Sequence, residues 1–317
     1  MKRALVLGGG GLVGMDYHAG VLLALEEAGI DPRSSDLIVG TSAGAIMAAY
    51  LSSGWSPSDL FGLAHEHDAA FGGVAYQDEL EVLFAPLWRN SRERLRRIVG
   101  GAFVTAAARG HWGKVAGGRI PGPRMQAAFP SGLYASRTTR RRLRSELSAE
   151  WPREGLYVCA VELYSGRRVA FGSPGAPRAR FFDAVLASAA IPGIFEPVRV
   201  ADRLYVDGGV RSTSSMDLAV EAGCERIVCI APLGWQAEKG AAPYKPPFLK
   251  SVLLRSWLNR ALKREAAAAR ASGVEVILLR PWLTELPAHG TNSLGRHSRA
   301  DVAESARLNT LKLLGAS

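Results

Sequence analysis

The reading of this chain turns on residues 37–51, Leu37-Ile38-Val39-Gly40-Thr41-Ser42-Ala43-Gly44-Ala45-Ile46-Met47-Ala48-Ala49-Tyr50-Leu51. Three apolar residues make a short strand pattern, and the small-residue run 45–51 reads as a helix. Between them stands Gly-x-Ser-x-Gly. Small neighbours allow a sharp strand-to-helix turn that exposes the Ser42 hydroxyl, and the helix N-terminus behind it favours developing negative charge.

The same layout precedes it. Ala4-Leu5-Val6-Leu7 reads as a buried strand and runs into Gly8-Gly9-Gly10-Gly11-Leu12-Val13-Gly14. A helix is expected over residues 18–28, with apolar positions at helical spacing and Gly29 placed to cap it. Two strand–turn–helix units within the first 55 residues predict an α/β fold with a parallel sheet covered by helices.

Further along, residues 55–150 are mostly helical in pattern but broken by Gly100-Gly101, Gly117-Gly118 and Pro121-Gly122-Pro123. Strands are expected at 156–163 and 169–171, joined by a hairpin turn at Tyr164-Ser165-Gly166-Arg167. A helix over 182–190 and a strand pair at 198–200 and 204–206 lead into Asp207-Gly208-Gly209. Strands at 227–230 and 274–279 flank a proline-rich linker (243–247) and an Arg/Ala-rich helix (252–272). A last helix is expected over 299–314.

Composition narrows the class. With 317 residues, 48% hydrophobic and 21% charged, the chain can bury a large core, which excludes disorder and fibrous structure. No apolar run approaches the ~18 residues of a membrane span. The N-terminus is too short and glycine-rich for a secretory signal. Cys159, Cys224 and Cys229 show neither metal-ligand spacing nor a disulfide framework. A cytoplasmic globular protein is the expectation.

The net charge of +10 is uneven: residues 89–144 hold fourteen Arg or Lys against the single acid Glu93. Such asymmetry suits either an anionic partner or a solvated helical face. No nucleic-acid-binding pattern accompanies it, so no nucleic-acid partner is expected.

The glycine run has two readings. Gly9, Gly11 and Gly14 satisfy Gly-x-Gly-x-x-Gly, but the acid that a dinucleotide ribose requires is missing where the second strand ends. As an anion-binding loop the same glycines suit an oxyanion, because adjacent parallel strands bring both turns to one end of the sheet. Asp207 adds a carboxylate at a strand end, with two glycines that permit close approach.

Taken in order, the loop Gly9–Gly14, the elbow Gly40–Gly44, the segment from Ala187-Ser188-Ala189-Ala190-Ile191-Pro192-Gly193 through Ile194-Phe195-Glu196-Pro197-Val198, and Asp207-Gly208-Gly209 resemble the patatin-like phospholipases over residues 4–235. The resemblance implies a three-layer α/β/α fold with a mostly parallel central sheet. It also implies a Ser–Asp dyad that hydrolyses lipid or other ester substrates through an acyl-enzyme. Ser42 would be the nucleophile, Asp207 the general base, and Gly9, Gly10 and Gly11, chiefly the last two, the oxyanion hole. Gly14, Gly40, Gly44, Gly208 and Gly209 would support the motifs. No cofactor or metal is expected. Two positions depart from the family pattern: Val13, where Arg or Lys is common, and Ser212-Thr213-Ser214-Ser215, where Asn and Pro often follow Asp-Gly-Gly.

The expected organisation is a hydrolase domain over 1–285 with a basic, mostly helical insertion at 71–150, followed by a tail over 286–317. Segment 89–144 is expected to touch anionic lipid at the inner membrane surface. Three alternatives stay open: a non-catalytic lipid- or membrane-binding protein of this fold, an acyltransferase, and an ordinary α/β-hydrolase whose triad histidine is His289 or His297. Both histidines read as exposed loop residues.

Overall fold

A computed structural model describes residues 1–70, 85–110, 128, 130–237, 249–290 and 298–316, with the side chains of 66–70 and 249–254 left out. The proline-rich linker at 243–247 lies outside the described residues. The chain divides into two compact units, Met1–Glu79 with Thr213–Ser317, and Leu80–Ser212.

In chain order, the first stretch carries β1 (Arg3–Leu7), α1 (Gly11–Glu27), β2 (Leu37–Thr41), α2 (Ala43–Ser52) and α3 (Pro57–Ala70). Next come α4 (Ser91–Ala108), α5 (Arg137–Glu146), β3 (Leu156–Glu162), β4 (Arg168–Phe171), α6 (Phe181–Ser188), β5 (Val198–Val200) and β6 (Arg203–Asp207). The last stretch carries α7 (Asp217–Glu221), β7 (Arg226–Ile230), α8 (Leu249–Ala271), β8 (Glu275–Leu279) and α9 (Arg299–Leu314).

In the first unit β1 pairs with both β2 and β7, and β7 pairs with β8, always in parallel. Leu7 stands in register with Gly40 on one side and Ile230 on the other. β2 is buried from end to end and β1 at all but its first residue, as expected for strands covered on both faces. The chain leaves β1 toward β2 and later returns to its other side as β7. That reversal puts a topological switch point at the carboxyl end of β1, where α/β sheets form their clefts.

The expected helix over 18–28 is longer than its pattern: α1 begins at Gly11, inside the glycine run. Glycine weakens the local helix signal, and burial of Val13 and Tyr17 supplies what propensity lacks. α9 packs along α1, so close that a Cβ on Gly20 would lie 2.0 Å from the Ala303 carbonyl oxygen. An ion pair from Arg299 to the buried Asp16 (2.8 Å) ties the start of α9 to α1. Sequence pattern showed neither partner of this pair.

Antiparallel pairing belongs to the second unit, where β4 and β6 pair with β3, and β5 with β6. Both β3–β4 and β5–β6 are joined by tight turns, and a short connection permits only antiparallel neighbours. Gly166 takes the left-handed position of the first turn (φ 64°) and Ala201 that of the second (φ 52°). A small core of Ala107, Ala108, Val161, Leu163 and Val206 joins α4 to β3 and β6. Among the described residues no helix is long and apolar enough to cross a membrane.

Candidate active site

Ser42 sits between the last residue of β2 and the first of α2, with φ 57° and ψ −122°. A side chain rarely occupies this region, and a residue held there stores roughly 1–3 kcal/mol of backbone strain. The strain is maintained by packing: Ser42 is 6% exposed, and its carbonyl accepts the N–H groups of Ala45 (2.9 Å) and Ile46 (3.3 Å). Its hydroxyl does not cap the helix.

The glycines of the pentapeptide are steric requirements. A Cβ on Gly44 would meet the Leu7 carbonyl oxygen at 2.0 Å, and one on Gly40 would meet Ala45 Cα at 2.6 Å. Gly44 is thus the point where the elbow presses on the end of β1.

The glycine loop lies beside this elbow within the same unit. A Cβ on Gly9 would touch Ser42 Cβ at 3.4 Å, an ordinary contact, and Gly14 stands in similar contact with Ala43. Gly10 is crowded: its Cβ would lie 2.6 Å from Gly14 Cα and 2.8 Å from Pro232. The sequence expectation put Gly9, Gly10 and Gly11 together as donors. The Gly9 N–H, however, donates to the Thr213 carbonyl at 2.8 Å, so it is spent on holding the loop. The Gly10 and Gly11 N–H groups meet no acceptor among the described residues and stand at the N-terminus of α1, where anions are favoured.

Val13, at the position where the family often has a cation, is buried at 1% exposure in the core of the unit. The Ser212–Ser215 departure has its own anchorage from Thr213 onward. Ser214 donates to Glu265 of α8, Thr41 reaches Ser215 at 3.5 Å, and the Thr213 carbonyl takes the Gly9 N–H.

Asp207 belongs to the other unit. It ends β6, is 4% exposed, and its Oδ1 accepts the Gly209 N–H at 2.7 Å. Gly208 allows β6 to press on β3: a Cβ there would lie 2.4 Å from the Cys159 carbonyl oxygen. The Ala187–Val198 stretch explains itself here. Its Ala190 carbonyl accepts the Asp207 N–H (2.9 Å), and its Ser188 hydroxyl donates to the Cys159 carbonyl (2.6 Å). That segment therefore fixes the end of the strand on which Asp207 stands.

The histidines divide. His18 is fully buried on α1, and its Nε2 lies 2.7 Å from the Gly8 carbonyl oxygen; a carbonyl only accepts, so Nε2 carries the proton. Burial pushes its pKa down to about 4. Sequence reasoning missed this contact, because His18 and Gly8 are ten residues apart and the intervening helix was expected to start later. His289 corrects its reading as an exposed loop residue: it is fully buried, with its ring 5.7 Å from that of Tyr17. His65 is exposed on α3. His111 and His297 lie outside the described residues. No group of His, Cys, Asp or Glu able to hold a metal occurs among the described residues.

A serine at a strained strand-to-helix elbow, with main-chain N–H groups beside it, is a geometry that nucleophile elbows share. The model of the family described as patatin-like phospholipase matches residues 5–220, and the chain belongs to that family of lipid hydrolases. No curated protein matches the chain by sequence. Among solved structures it is similar to VipD from Legionella pneumophila, at 16% identity and TM-score 0.47, covering 99% of this chain and 67% of that one. It is also similar to ExoU of Pseudomonas aeruginosa, solved in a heterodimeric complex with SpcU, at 19% identity and TM-score 0.38, covering 99% of this chain and 51% of ExoU. The chain thus spans about two thirds of VipD and about half of ExoU.

Proposed function

We propose that this protein is a serine lipid acyl hydrolase working through Ser42 and Asp207. The observation that carries the reading is the strained elbow at Ser42, set against a glycine loop with two N–H groups uncommitted among the described residues. Ser42 Oγ attacks the ester carbonyl carbon while its proton passes to the Asp207 carboxylate. The oxygen that becomes negative is held by the Gly10 and Gly11 N–H groups, the kind of donor whose loss costs about 2.7–4 kcal/mol in other acyl-transfer enzymes. Asp207 returns the proton to the leaving alcohol. Water, deprotonated by the same carboxylate, then releases the fatty acid and restores Ser42.

The test is hydrolysis of p-nitrophenyl esters, lysophospholipids, phospholipids and triacylglycerols by the wild type and by Ser42→Ala and Asp207→Ala. Turnover lost in both variants is the expected result. Lipid binding without turnover in the wild type would favour a non-catalytic role, and loss of turnover in a folded His289→Ala would favour a triad.

We further propose that segment 89–144 meets an anionic bilayer, making this a peripheral protein on the cytoplasmic side. Support comes from α4, where Leu95, Ile98 and Phe103 are exposed (62%, 48% and 38%) among Arg92, Arg94 and Arg96, the mixture of an interfacial helix. Arginines of both helices also have local partners: in α4 Arg94 stacks on Trp88 and Arg96 donates to the Ala128 carbonyl, and in α5 Arg140 pairs with Asp183, Arg142 with Glu146, and Arg144 stacks on Phe182. Lys114, Arg119 and Arg124 lie outside the described residues. Co-sedimentation with anionic vesicles that weakens with salt is expected; equal binding to neutral vesicles counts against it.

A further inference from the structure

The Gly8–Gly9 peptide is held at both ends. Its carbonyl accepts the Nε2–H of His18 at 2.7 Å, and its N–H donates to the Thr213 carbonyl at 2.8 Å. The Gly8 N–H, one step earlier, donates to the Ile230 carbonyl at 2.9 Å. The next two N–H groups, of Gly10 and Gly11, are the proposed oxyanion donors. A peptide between two glycines turns over easily, because neither residue has a Cβ to restrict φ or ψ. Whatever holds this peptide plane therefore sets the direction of the donors that follow it.

His18 reaches the loop from its own helix. α1 starts at Gly11, and helix side chains lean toward the N-terminus, so a residue two turns in can fold back on the loop that opens the helix. The ring is fully buried, and its Nδ1 meets no partner among the described residues. A buried imidazole with one nitrogen unsatisfied is a costly occupant of an apolar helix face, where a leucine would pack without polar cost. Among the described residues its one hydrogen bond is that to Gly8.

We propose that His18 is a positioning residue that locks the Gly8–Gly9 peptide and so holds the Gly10 and Gly11 N–H groups ready for the oxyanion. This rests on the reading of those two groups as the donors. His18 touches no reacting atom in this scheme and neither gains nor loses a proton during turnover. It acts through the loop alone.

Three variants test it: His18→Leu removes the donor, His18→Gln places an amide N–H near the position of Nε2, and His18→Asn places one near Nδ1. Kinetics are measured per active site, counted by stoichiometric fluorophosphonate labelling, so that loss of folded protein is not mistaken for loss of rate. His18→Leu and His18→Asn should lower kcat about 10- to 100-fold with little change in KM, as misplacement of donors does. His18→Gln should recover most of kcat. Should His18→Leu fail to fold, the contrast between Gln and Asn carries the test. Equal kcat in Gln and Asn variants, or an unchanged kcat in Leu, overturns the inference while Ser42-dependent turnover in the wild type still stands. Absence of Ser42-dependent turnover in the wild type removes both readings together.

Discussion

Gly44 and Leu7 meet where no side chain fits: a Cβ on Gly44 would stand 2.0 Å from the Leu7 carbonyl oxygen. The contact locks the serine elbow onto the end of β1, from which the glycine loop departs. Gly44→Ala must therefore push the two strands' turns apart, at a cost of about 3 kcal/mol or more. Gly9→Ala, whose Cβ would sit 3.4 Å from Ser42 Cβ, should be tolerated far better. Urea midpoints of the two variants check this, and similar midpoints would mean that the close approach is not a constraint.

Ser42 gives a second stability test. At φ 57° and ψ −122° any Cβ is strained, and only glycine is relieved. Ser42→Gly should be more stable than Ser42→Ala by about 1 kcal/mol or more, although both lack the hydroxyl. Equal stability would show that the elbow carries no backbone strain.

Much of this was legible in the sequence, and the reasons differ by residue. The short apolar runs before Gly8 and Gly40 read as parallel strands because burial on both faces leaves no polar alternation. The placement of Ser42 and Asp207 at strand ends was legible because an apolar run precedes each, and Gly40, Gly44 and Gly208 nearby stand where the packing leaves no room for a Cβ. The commitment of the Gly9 N–H to Thr213 was not legible, since two loops 204 residues apart in sequence meet only in the folded unit. Nor was the buried state of His289: a polar neighbourhood in sequence says nothing of the Tyr17 ring that covers it. The helix start at Gly11 was obscured because glycine at a helix N-terminus leaves no periodic signal.

Arg299 joins α9 to α1 through Asp16, whose side chain is 2% exposed. Arg299→Ala leaves a buried carboxylate without its cation, which costs about 3–5 kcal/mol when such pairs are broken. The expected sign is a marked fall in the thermal midpoint. A change within 1 °C would mean that water or another group replaces the guanidinium at no cost.

The burial of His18 predicts a pH dependence. Its pKa falls from 6.5 to about 4 on folding, so the unfolded chain binds the proton first. The stability associated with its neutral ring is full above pH 6.5 and is lost as pH falls from 6.5 to about 4. Relative to His18→Gln, wild-type stability should drop by about 3 kcal/mol across that window. Denaturant titrations of both proteins at several pH values read it directly, and parallel curves would contradict a buried neutral imidazole.

The central claim is that Ser42 is the nucleophile, and covalent labelling tests it most directly. The wild-type protein is treated with a fluorophosphonate, digested, and the modified residue identified by mass spectrometry while residual ester hydrolysis is followed. Ser42 should carry one phosphonyl group per chain, with hydrolysis lost in proportion, no label in Ser42→Ala, and strongly slowed labelling in Asp207→Ala. Modification of a different serine, or hydrolysis that continues undiminished once Ser42 is fully labelled, would contradict the account.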